Sequence, residues 1–287
     1  MLKRNLNTRS WFRSFFISLL LIVLQQAQAN ESYLESAPES VPEPVQATPD
    51  YNQPAISIII DDMGYRLKSG NRAVNLPGAV TYSFLPHAPH VIQLSKNAHA
   101  QNKEIMLHLP MEAEGGKKLG PGGLTECMTE ENFVKILESN IESIPHVRGF
   151  NNHMGSLLTK SRLLMTRLMR EVAVNKKLFF VDSKTTSDSV ALKVARAEGL
   201  KSIKRDIFID HEESEIFIQK QLKKLIKRAE NKGTALAIAH PKKITLSVLE
   251  KWLPELEAKG IKLVSVSELI NLQQQRRLAL WKNPRQN

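Results

Sequence analysis

Residues 55–64 read Ala-Ile-Ser-Ile-Ile-Ile-Asp-Asp-Met-Gly, and their pattern is the clearest indication of the fold class. Its apolar part is nearly continuous instead of alternating, which is the pattern of a parallel strand covered on both faces. Asp61 and Asp62 end the run directly, and Gly64 follows at a position typical of a turn. We therefore expect a buried parallel strand that delivers two carboxylates to one end of a sheet.

Further short apolar runs follow along the chain, separated by segments of helix length. Residues 129–143 and 213–231 carry apolar side chains at helical spacing, and residues 267–282 are expected to form a closing helix. Strands alternating with helices predict an α/β fold: a distorted (β/α) barrel of seven or eight mostly parallel strands, with an open doubly wound sheet as the alternative. The predicted strands are residues 56–60, 79–85, 104–109, 148–152, 178–181, 203–209, 234–239 and 262–266.

The chain before residue 55 has two parts of different composition. Residues 1–29 combine a basic start, a short apolar run and small residues at 27 and 29, which predicts a cleavable signal peptide; an uncleaved anchor is the alternative. Residues 30–54 are rich in proline and acids and predict a disordered linker before a single domain over 55–287. We therefore expect an exported, periplasmic protein with no transmembrane segment after cleavage.

Composition excludes several classes of protein. The single cysteine, Cys127, rules out an internal disulfide and a thiolate zinc cluster. The net charge is +11, but no DNA-reading motif is found, so the expected partners are anionic envelope polymers or lipid head groups and not nucleic acid. Residues 112–125 contain five glycines without the spacing of a phosphate-binding loop, and predict a surface loop or a mobile lid. Composition does not predict an oligomeric state.

Polar residues recur where the predicted strands end. In a (β/α) barrel the carboxyl ends of the strands meet on one face, and catalytic groups come from that face. A single Asp or His at a strand end often only caps the following helix. Polar residues at the ends of nearly all predicted strands are not explained by chance. The strand-end residues are Asp61, Asp62, His87, His108, Asn151, Asn152, His153, Asp182, Asp210, His211 and His240.

Asp61 and Asp62 are the most specific local signal. Strand geometry predicts that their carboxylates point to opposite sides, and like charges so close call for a cation or a shared proton. A divalent metal bound by one of them would leave the other as a base, whereas the alternative is that Asp62 caps the following turn. Asp62, His108 and His153 together supply the three ligands of a hydrolytic site for Zn²⁺ or a similar ion. His240 is interpreted as a general acid, with a buried core histidine as the alternative.

Four segments together resemble one family: Ile58-Ile59-Ile60-Asp61-Asp62-Met63-Gly64, Gly149-Phe150-Asn151-Asn152-His153-Met154-Gly155-Ser156, Phe179-Phe180-Val181-Asp182-Ser183-Lys184-Thr185 and Ala239-His240-Pro241. They are similar to motifs of the divergent polysaccharide deacetylases, within the superfamily that shares the NodB-homology fold and includes the carbohydrate esterase 4 enzymes. The resemblance spans about residues 55–272 and implies a distorted (β/α) barrel.

The resemblance also implies roles for individual residues. Asp61 would be the general base, Asp62 and His153 metal ligands, and His240 the acid that protonates the leaving amine. Asn152 and Asp182 are assigned to substrate binding. Two positions depart from the usual pattern: Leu157 replaces a second ligand histidine, for which His108 is our substitute, and residues 182–185 replace an Arg-x-x-x-Pro segment.

Two functions follow from these observations. The first is a metal-dependent deacetylase that acts on peptidoglycan or another acetylated envelope polysaccharide. The second is an inactive protein of the same fold that binds glycan or a protein partner. The retained Asp61, Asp62, His153 and His240 favour the enzyme, and the missing histidine at 157 favours the binding protein.

Overall fold

A parallel β-sheet forms the centre of the protein, which is seen here in a computed structural model that describes residues 53–282. The predicted signal peptide and nearly all of the predicted linker lie outside the described residues. The strands are β1 Ala55–Met63, β2 Thr81–Phe84, β3 Ile105–Met111, β4 Val147–Met154, β5 Phe179–Asp182, β6 Ser202–Lys204, β7 Ile207–Phe208, β8 Thr234–Ala239 and β9 Lys262–Leu263. They run in the order β6-β5-β4-β3-β2-β1-β8-β7, and β9 pairs with β1 outside this path.

The segment between β6 and β7 closes the sheet into a distorted barrel. Arg205 donates its backbone N–H to Asp182 of β5, whereas the next residue, Asp206, donates to Leu236 of β8. Two adjacent residues span at most about 7 Å, but eight strands side by side in an open sheet are about 30 Å wide. The two edges of the sheet therefore meet, which confirms the predicted barrel and excludes the open sheet.

The prediction of a single strand over residues 203–209 is wrong. These residues form β6 and β7, which pair with β5 and β8 respectively. The chain changes neighbour between them because it has to hydrogen bond to both edges of the curled sheet.

Strand β1 lies in the middle of the barrel wall. One edge of β1 pairs with β8 along residues 55–60. The other edge of β1 pairs first with β9 and then, toward its carboxyl end, with β2. Ile56, Ile58, Ile59 and Ile60 are fully buried. Cover on both faces explains why the sequence of this strand does not alternate.

Eight α-helices connect or cover the strands in the described residues. The helices are α1 Leu67–Val74, α2 Val91–Ala100, α3 Glu130–Glu142, α4 Arg162–Asn175, α5 Ala191–Ala197, α6 Glu215–Lys232, α7 Lys243–Trp252 and α8 Val266–Lys282. Helix α3 begins after Thr129, whose side chain accepts a hydrogen bond from the Asn132 N–H, and α6 is followed by its C-cap Gly233 with φ 78°. Both match the helices predicted from the sequence, and α8 is the expected closing helix. Within residues 53–282 none of the helices combines the length and apolarity that crossing a membrane requires.

The parallel arrangement places the carboxyl ends of all strands on one rim of the barrel. The glycine-rich segment after β3 folds back over this rim, and Leu124 pairs with Met111 at the end of β3. Leu124 donates its N–H to Pro110 and accepts one from Glu112, which fixes both ends of the loop. The loop brings Lys117 to the cavity at the rim.

Candidate metal centre

The carboxylates of Asp61 and Asp62 face the same histidine at the rim. Asp61 Oδ2 lies 3.7 Å and Asp62 Oδ1 lies 3.3 Å from His108 Nε2. The prediction that the two side chains point to opposite sides is therefore wrong. Asp62 has a left-handed backbone with φ 55°, and the pairing of β1 with β2 shifts register between Ile60 and Met63. The alternation of side chains holds only for a regular strand, and this irregularity rotates Asp62 toward the cavity.

Asp62, His108 and His153 form a compact triangle of possible metal ligands. His153 Nδ1 lies 3.2 Å from Asp62 Oδ1 and 3.1 Å from His108 Nε2, and the third edge is 3.3 Å. Ligands at about 2.0–2.1 Å in a tetrahedral zinc site lie about 3.3 Å apart, close to these values. Two imidazole nitrogens and one carboxylate oxygen also suit zinc and related ions.

The buried oxygen of Asp62 supports the same interpretation. Asp62 Oδ1 has no hydrogen bond although it is buried and both imidazoles lie within 3.3 Å. While His108 is neutral and its Nε2 carries no proton, this buried acceptor has no donor, which is costly in free energy, and a cation at the centre of the triangle would remove that cost. The residues present therefore fit a divalent metal.

Asn151 orients His108, a role that was not predicted from the sequence. Its Oδ1 lies 2.9 Å from His108 Nδ1, and its Nδ2 donates to both carboxylate oxygens of Asp61 at 2.9 and 3.0 Å. Since the amide oxygen only accepts, the proton of neutral His108 lies on Nδ1, and Nε2 is left with a lone pair facing the triangle. Ser83 also donates to Asn151 Oδ1, at 2.6 Å.

The charges of this cluster are strongly coupled. Burial raises the pKa of Asp61 above its usual range, against the opposing effect of His108, His240 and the Asn151 hydrogen bond. Burial also acts to raise the pKa of Asp62, but His108 and His153 outweigh it and the pKa is well below the usual range. Burial lowers the pKa of His108, but Asp61 and Asp62 prevail and raise it to about 9. A metal would therefore have to displace a proton from this imidazole.

His240 directly follows β8, which pairs with one edge of β1, the strand of Asp62. His108 and His153 come from β3 and β4, which lie on the other side of β1 in the sheet. Its Nδ1 is 2.9 Å from Asp210 Oδ1, and its backbone N–H donates to Asp210 Oδ2 at 2.8 Å. Thr245 donates to the same Oδ2 at 2.9 Å, so the buried Asp210 is itself fixed. His240 Nε2 is 3.7 Å from Asp62 Oδ2. Burial lowers the pKa of His240, but the bond to Asp210 and the charge of that carboxylate outweigh it and raise the pKa.

A cavity of about 440 Å³ brings the predicted groups together. Asp61, Asp62, His108, His153 and His240 all line it. Asp210 was missed as the partner of His240, although its place at a strand end was a usable signal.

Asn152 and Asp182 take part mainly in local bonds. Asn152 accepts from the Ser183 N–H at 2.9 Å and donates to Met154 O at 2.7 Å. Asp182 accepts from the Lys184 N–H at 2.9 Å and from Ser189 Oγ at 2.8 Å. Asn152 lines the cavity, whereas Asp182 is not among its lining residues. These bonds shape the loop that follows β5.

The two departures from the family pattern have visible consequences. Leu157 offers no ligand atom, and His108 of β3 completes the triangle instead. In the segment after β5, Arg205 donates from Nε to Ser183 O at 2.7 Å and from Nη2 to Lys184 O at 3.0 Å. An arginine is thus present at the cavity, supplied by the segment that closes the barrel.

Two strand-end histidines lie outside the cluster. His87 Nε2 is 3.1 Å from Asn140 Oδ1, beside α3. The ring of His211 packs edge-on against Phe217 with centroids 4.4 Å apart. Neither residue lines the cavity.

The fold is a distorted (β/α) barrel with a possible three-ligand metal site at its rim, and comparison with known proteins gives the family. The model of the divergent polysaccharide deacetylase family matches residues 58–270. The chain belongs to the divergent polysaccharide deacetylase family.

A relative is similar in sequence over most of the chain, and two solved structures share its fold. The uncharacterized protein YibQ of Escherichia coli K12 is 33% identical over 216 residues, which cover 75% of this chain and 67% of that protein. A crystal structure of the uncharacterized protein ATU2773 from Agrobacterium tumefaciens C58 superposes with a TM-score of 0.72 at 24% identity, covering 76% of this chain and 93% of that one. A point mutant of the peptidoglycan deacetylase PdaC from Bacillus subtilis shares the fold with a TM-score of 0.50 at 11% identity, covering 82% of this chain and 99% of that one.

Proposed function

We propose that this protein is an exported, metal-dependent deacetylase that hydrolyses acetyl groups of an envelope polysaccharide. The observation that carries the proposal is the placement of Asp61 and His240 in the same cavity as the Asp62, His108 and His153 triangle. A base, an acid and a three-ligand set around one cavity are the parts that hydrolysis of an amide or ester requires. Family membership supports the polysaccharide substrate.

Asp62, His108 and His153 would hold the metal, for which zinc is our choice. When bound, such an ion supplies polarisation of the acetyl carbonyl and a lowered pKa for water. Asn151 keeps Nε2 of His108 directed into the triangle through the 2.9 Å bond at Nδ1. That bond preorganises the ligand, so less order has to be imposed when the ion binds.

Asp61 is suited to accept a proton from the attacking water. Its pKa is raised by burial, which makes the carboxylate a stronger base than an exposed aspartate. Both its oxygens accept hydrogen bonds from Asn151, so the carboxylate has a fixed orientation. The 3.7 Å separation from His108 places it beside the ligand triangle without making it part of that set.

His240 is suited to protonate the leaving nitrogen or oxygen. Asp210 accepts from Nδ1, so Nε2 is the nitrogen that faces the cavity. The same carboxylate raises the pKa of the imidazole and stabilises its protonated form. We assign Asn152 and Asp182 to positioning of the loop after β5, because their hydrogen bonds are made within that loop and to β4.

The experiment combines metal content with acetate release. The purified protein is loaded with Zn²⁺, and acetate is measured after incubation with peptidoglycan glycan strands and, separately, with an O-acetylated polysaccharide. We expect about one ion per chain and acetate release that Asp61→Asn abolishes while the ion stays bound. His211→Ala serves as a control, since this ring packs against Phe217 outside the cavity.

Two outcomes would contradict the proposal. If zinc does not bind, the triangle of Asp62, His108 and His153 is not a metal site and the proposed hydrolytic mechanism is excluded. If zinc binds but neither substrate releases acetate, the alternative of an inactive glycan- or protein-binding protein replaces the enzyme.

A further inference from the structure

A second cavity of about 920 Å³ opens beside the metal centre, between the first turns of α1 and α7. We call it the basic cleft and define it by Tyr65, Arg66, Lys68, Lys242, Lys243 and Leu246. We propose that the basic cleft binds a negatively charged substituent, a carboxylate or phosphate, carried by the polysaccharide next to the acetylated sugar. This inference rests on the proposed function and specifies its substrate class.

The charges along the cleft are mostly positive and only partly neutralised. Lys242 pairs with Glu213 at 3.0 Å, and Arg72, which also lines the cleft, pairs with Glu250 at 2.7 Å. Arg66, Lys68 and Lys243 form no ion pair with any residue in the described range 53–282. Uncompensated cations in a concave surface concentrate positive potential and attract an anion.

The two helices that form the cleft add to this potential at their first turns. Arg66 and Lys242 occupy the N-cap positions of α1 and α7; neither provides a side-chain cap, and neither helix has an acid in its first turn. By contrast, α3 begins with a Thr129 cap followed by Glu130 and Glu131. The amino end of a helix carries partial positive charge, which acids usually offset. In α1 and α7 that charge is reinforced by basic residues, so both helix starts favour an anionic ligand.

The position of the cleft favours a substrate over a membrane surface. Asp62, His153 and His240 line both the basic cleft and the cavity of the metal centre. The two cavities therefore adjoin, so a polymer whose acetyl group reaches the ligand triangle can extend into the cleft. Tyr65, with 45% of its surface exposed, offers a ring against which a sugar can pack. A concave cleft suits a substituent of such a chain better than a flat lipid surface.

The test compares binding of two probes that differ only in charge. One is a tetrasaccharide of alternating N-acetylglucosamine and N-acetylmuramic acid, and the other is the same molecule with its lactyl carboxylates converted to amides. Dissociation constants are measured by calorimetry on the zinc-loaded protein, on the double variant Lys68→Gln/Lys243→Gln, and on Lys220→Gln/Lys224→Gln. The last variant removes the same charge from the exposed face of α6, outside the cleft.

We expect the carboxylate form to bind about tenfold more tightly than the amide, an advantage that is lost in Lys68→Gln/Lys243→Gln and retained in the α6 variant. The advantage should also shrink as salt is added, because exposed charges are screened. Equal binding of the two probes, or equal loss in both double variants, would overturn the proposal. So would selective loss of binding to phosphatidylglycerol vesicles in the cleft variant with tetrasaccharide binding unchanged. Failure of acetate release leaves this binding measurement intact, so the two proposals can fail separately.

Discussion

Asn151 connects His108 to Asp61: its Oδ1 lies 2.9 Å from His108 Nδ1, and its Nδ2 donates to Asp61 Oδ1 at 2.9 Å. One buried amide thus sets the orientation of a metal ligand and of the proposed base. The two halves of the amide are separable by mutation, because the oxygen acts on the ligand and the nitrogen acts on the base.

Substitution of Asn151 should separate metal binding from turnover. Asn151→Leu removes both contacts, and we expect zinc affinity to fall by about 10- to 100-fold because the ligand loses its hydrogen-bonding partner. Asn151→Asp keeps an acceptor for His108 but faces Asp61 with a second carboxylate, so affinity should fall less than kcat. Competition with a chelator gives the affinity, and acetate release gives kcat. Equal affinity of Asn151→Leu and the parent would show that the bond does not orient the ligand.

His108 should be required for metal binding, whereas His87 should not. His87 follows β2 and His108 lies in the neighbouring strand β3, but of the two only His108 lies within 3.3 Å of Asp62 Oδ1. We expect His108→Ala to reduce the zinc content of the purified protein to a small fraction and His87→Ala to leave it unchanged. Elemental analysis measures both. A fully loaded His108→Ala protein would identify a different third ligand.

Asp210 should matter for turnover more than Asp206, although each carboxylate accepts a hydrogen bond from a backbone N–H, Asp206 from Leu236 of β8 and Asp210 from His240 just after β8. Asp206 accepts from Leu236 and pairs with Arg228, whereas Asp210 accepts from the backbone and the ring of His240. Asp210→Asn should lower kcat by about 10²-fold or more with little change in KM, since the acid loses its orientation and its raised pKa. Asp206→Asn should lower the free energy of unfolding without lowering kcat in the folded enzyme. A similar kcat for both variants would remove His240 from the mechanism.

The ion pair between Arg72 and Glu250 should make stability depend on pH. The hydrogen bond from Arg72 lowers the pKa of Glu250, so the pair stabilises the folded state above the unfolded pKa of glutamate and loses this effect as pH falls through the lowered value. Arg72→Met should therefore lower the thermal midpoint at pH 7 and have less effect near pH 3. Lys227→Met, on the outer face of α6, is the control. A loss in Arg72→Met that is the same at both pH values would assign the effect to packing.

Gly149 should tolerate no side chain. A Cβ at this position of β4 would lie 2.3 Å from the Phe179 ring of the neighbouring strand. Gly149→Ala should lower the free energy of unfolding by about 1–3 kcal/mol, because the ring has to move within a packed core. Chemical denaturation measures the change, and Gly199→Ala, where nothing lies within 4 Å but φ is 80°, separates crowding from backbone strain.

The sequence predicts the strand ends better than it predicts the directions of side chains. The polar residues near the carboxyl ends of β1, β3, β4 and β8 were found because apolar runs end there. The rotation of Asp62 toward the cavity was not predicted, because it depends on a register shift between β1 and β2 that local sequence does not encode. Alternation in β4 was a usable signal that went unused: Asn151 and His153 are two residues apart, and both contact His108.

The partner of His240 and the break between β6 and β7 required knowledge of the closed sheet. Asp210 contacts His240 because β7 pairs with β8, a neighbour relation that exists only after the barrel has closed. The division of residues 203–209 has the same origin, since Arg205 and Asp206 bond to opposite edges. Long-range pairing of this kind leaves no periodic pattern in the sequence.

The shared edge of β1 bears on how the chain reaches its folded state. The first strand is completed by β8 and β9, and Ser57 donates a hydrogen bond to Val264, 207 residues away. Strand β1 therefore remains unpaired along one edge until almost the whole domain has left the ribosome. Pairing between segments so distant in sequence makes folding slow. For a protein that we propose to be exported, this delay would keep the chain in a form that can be threaded across a membrane before it folds.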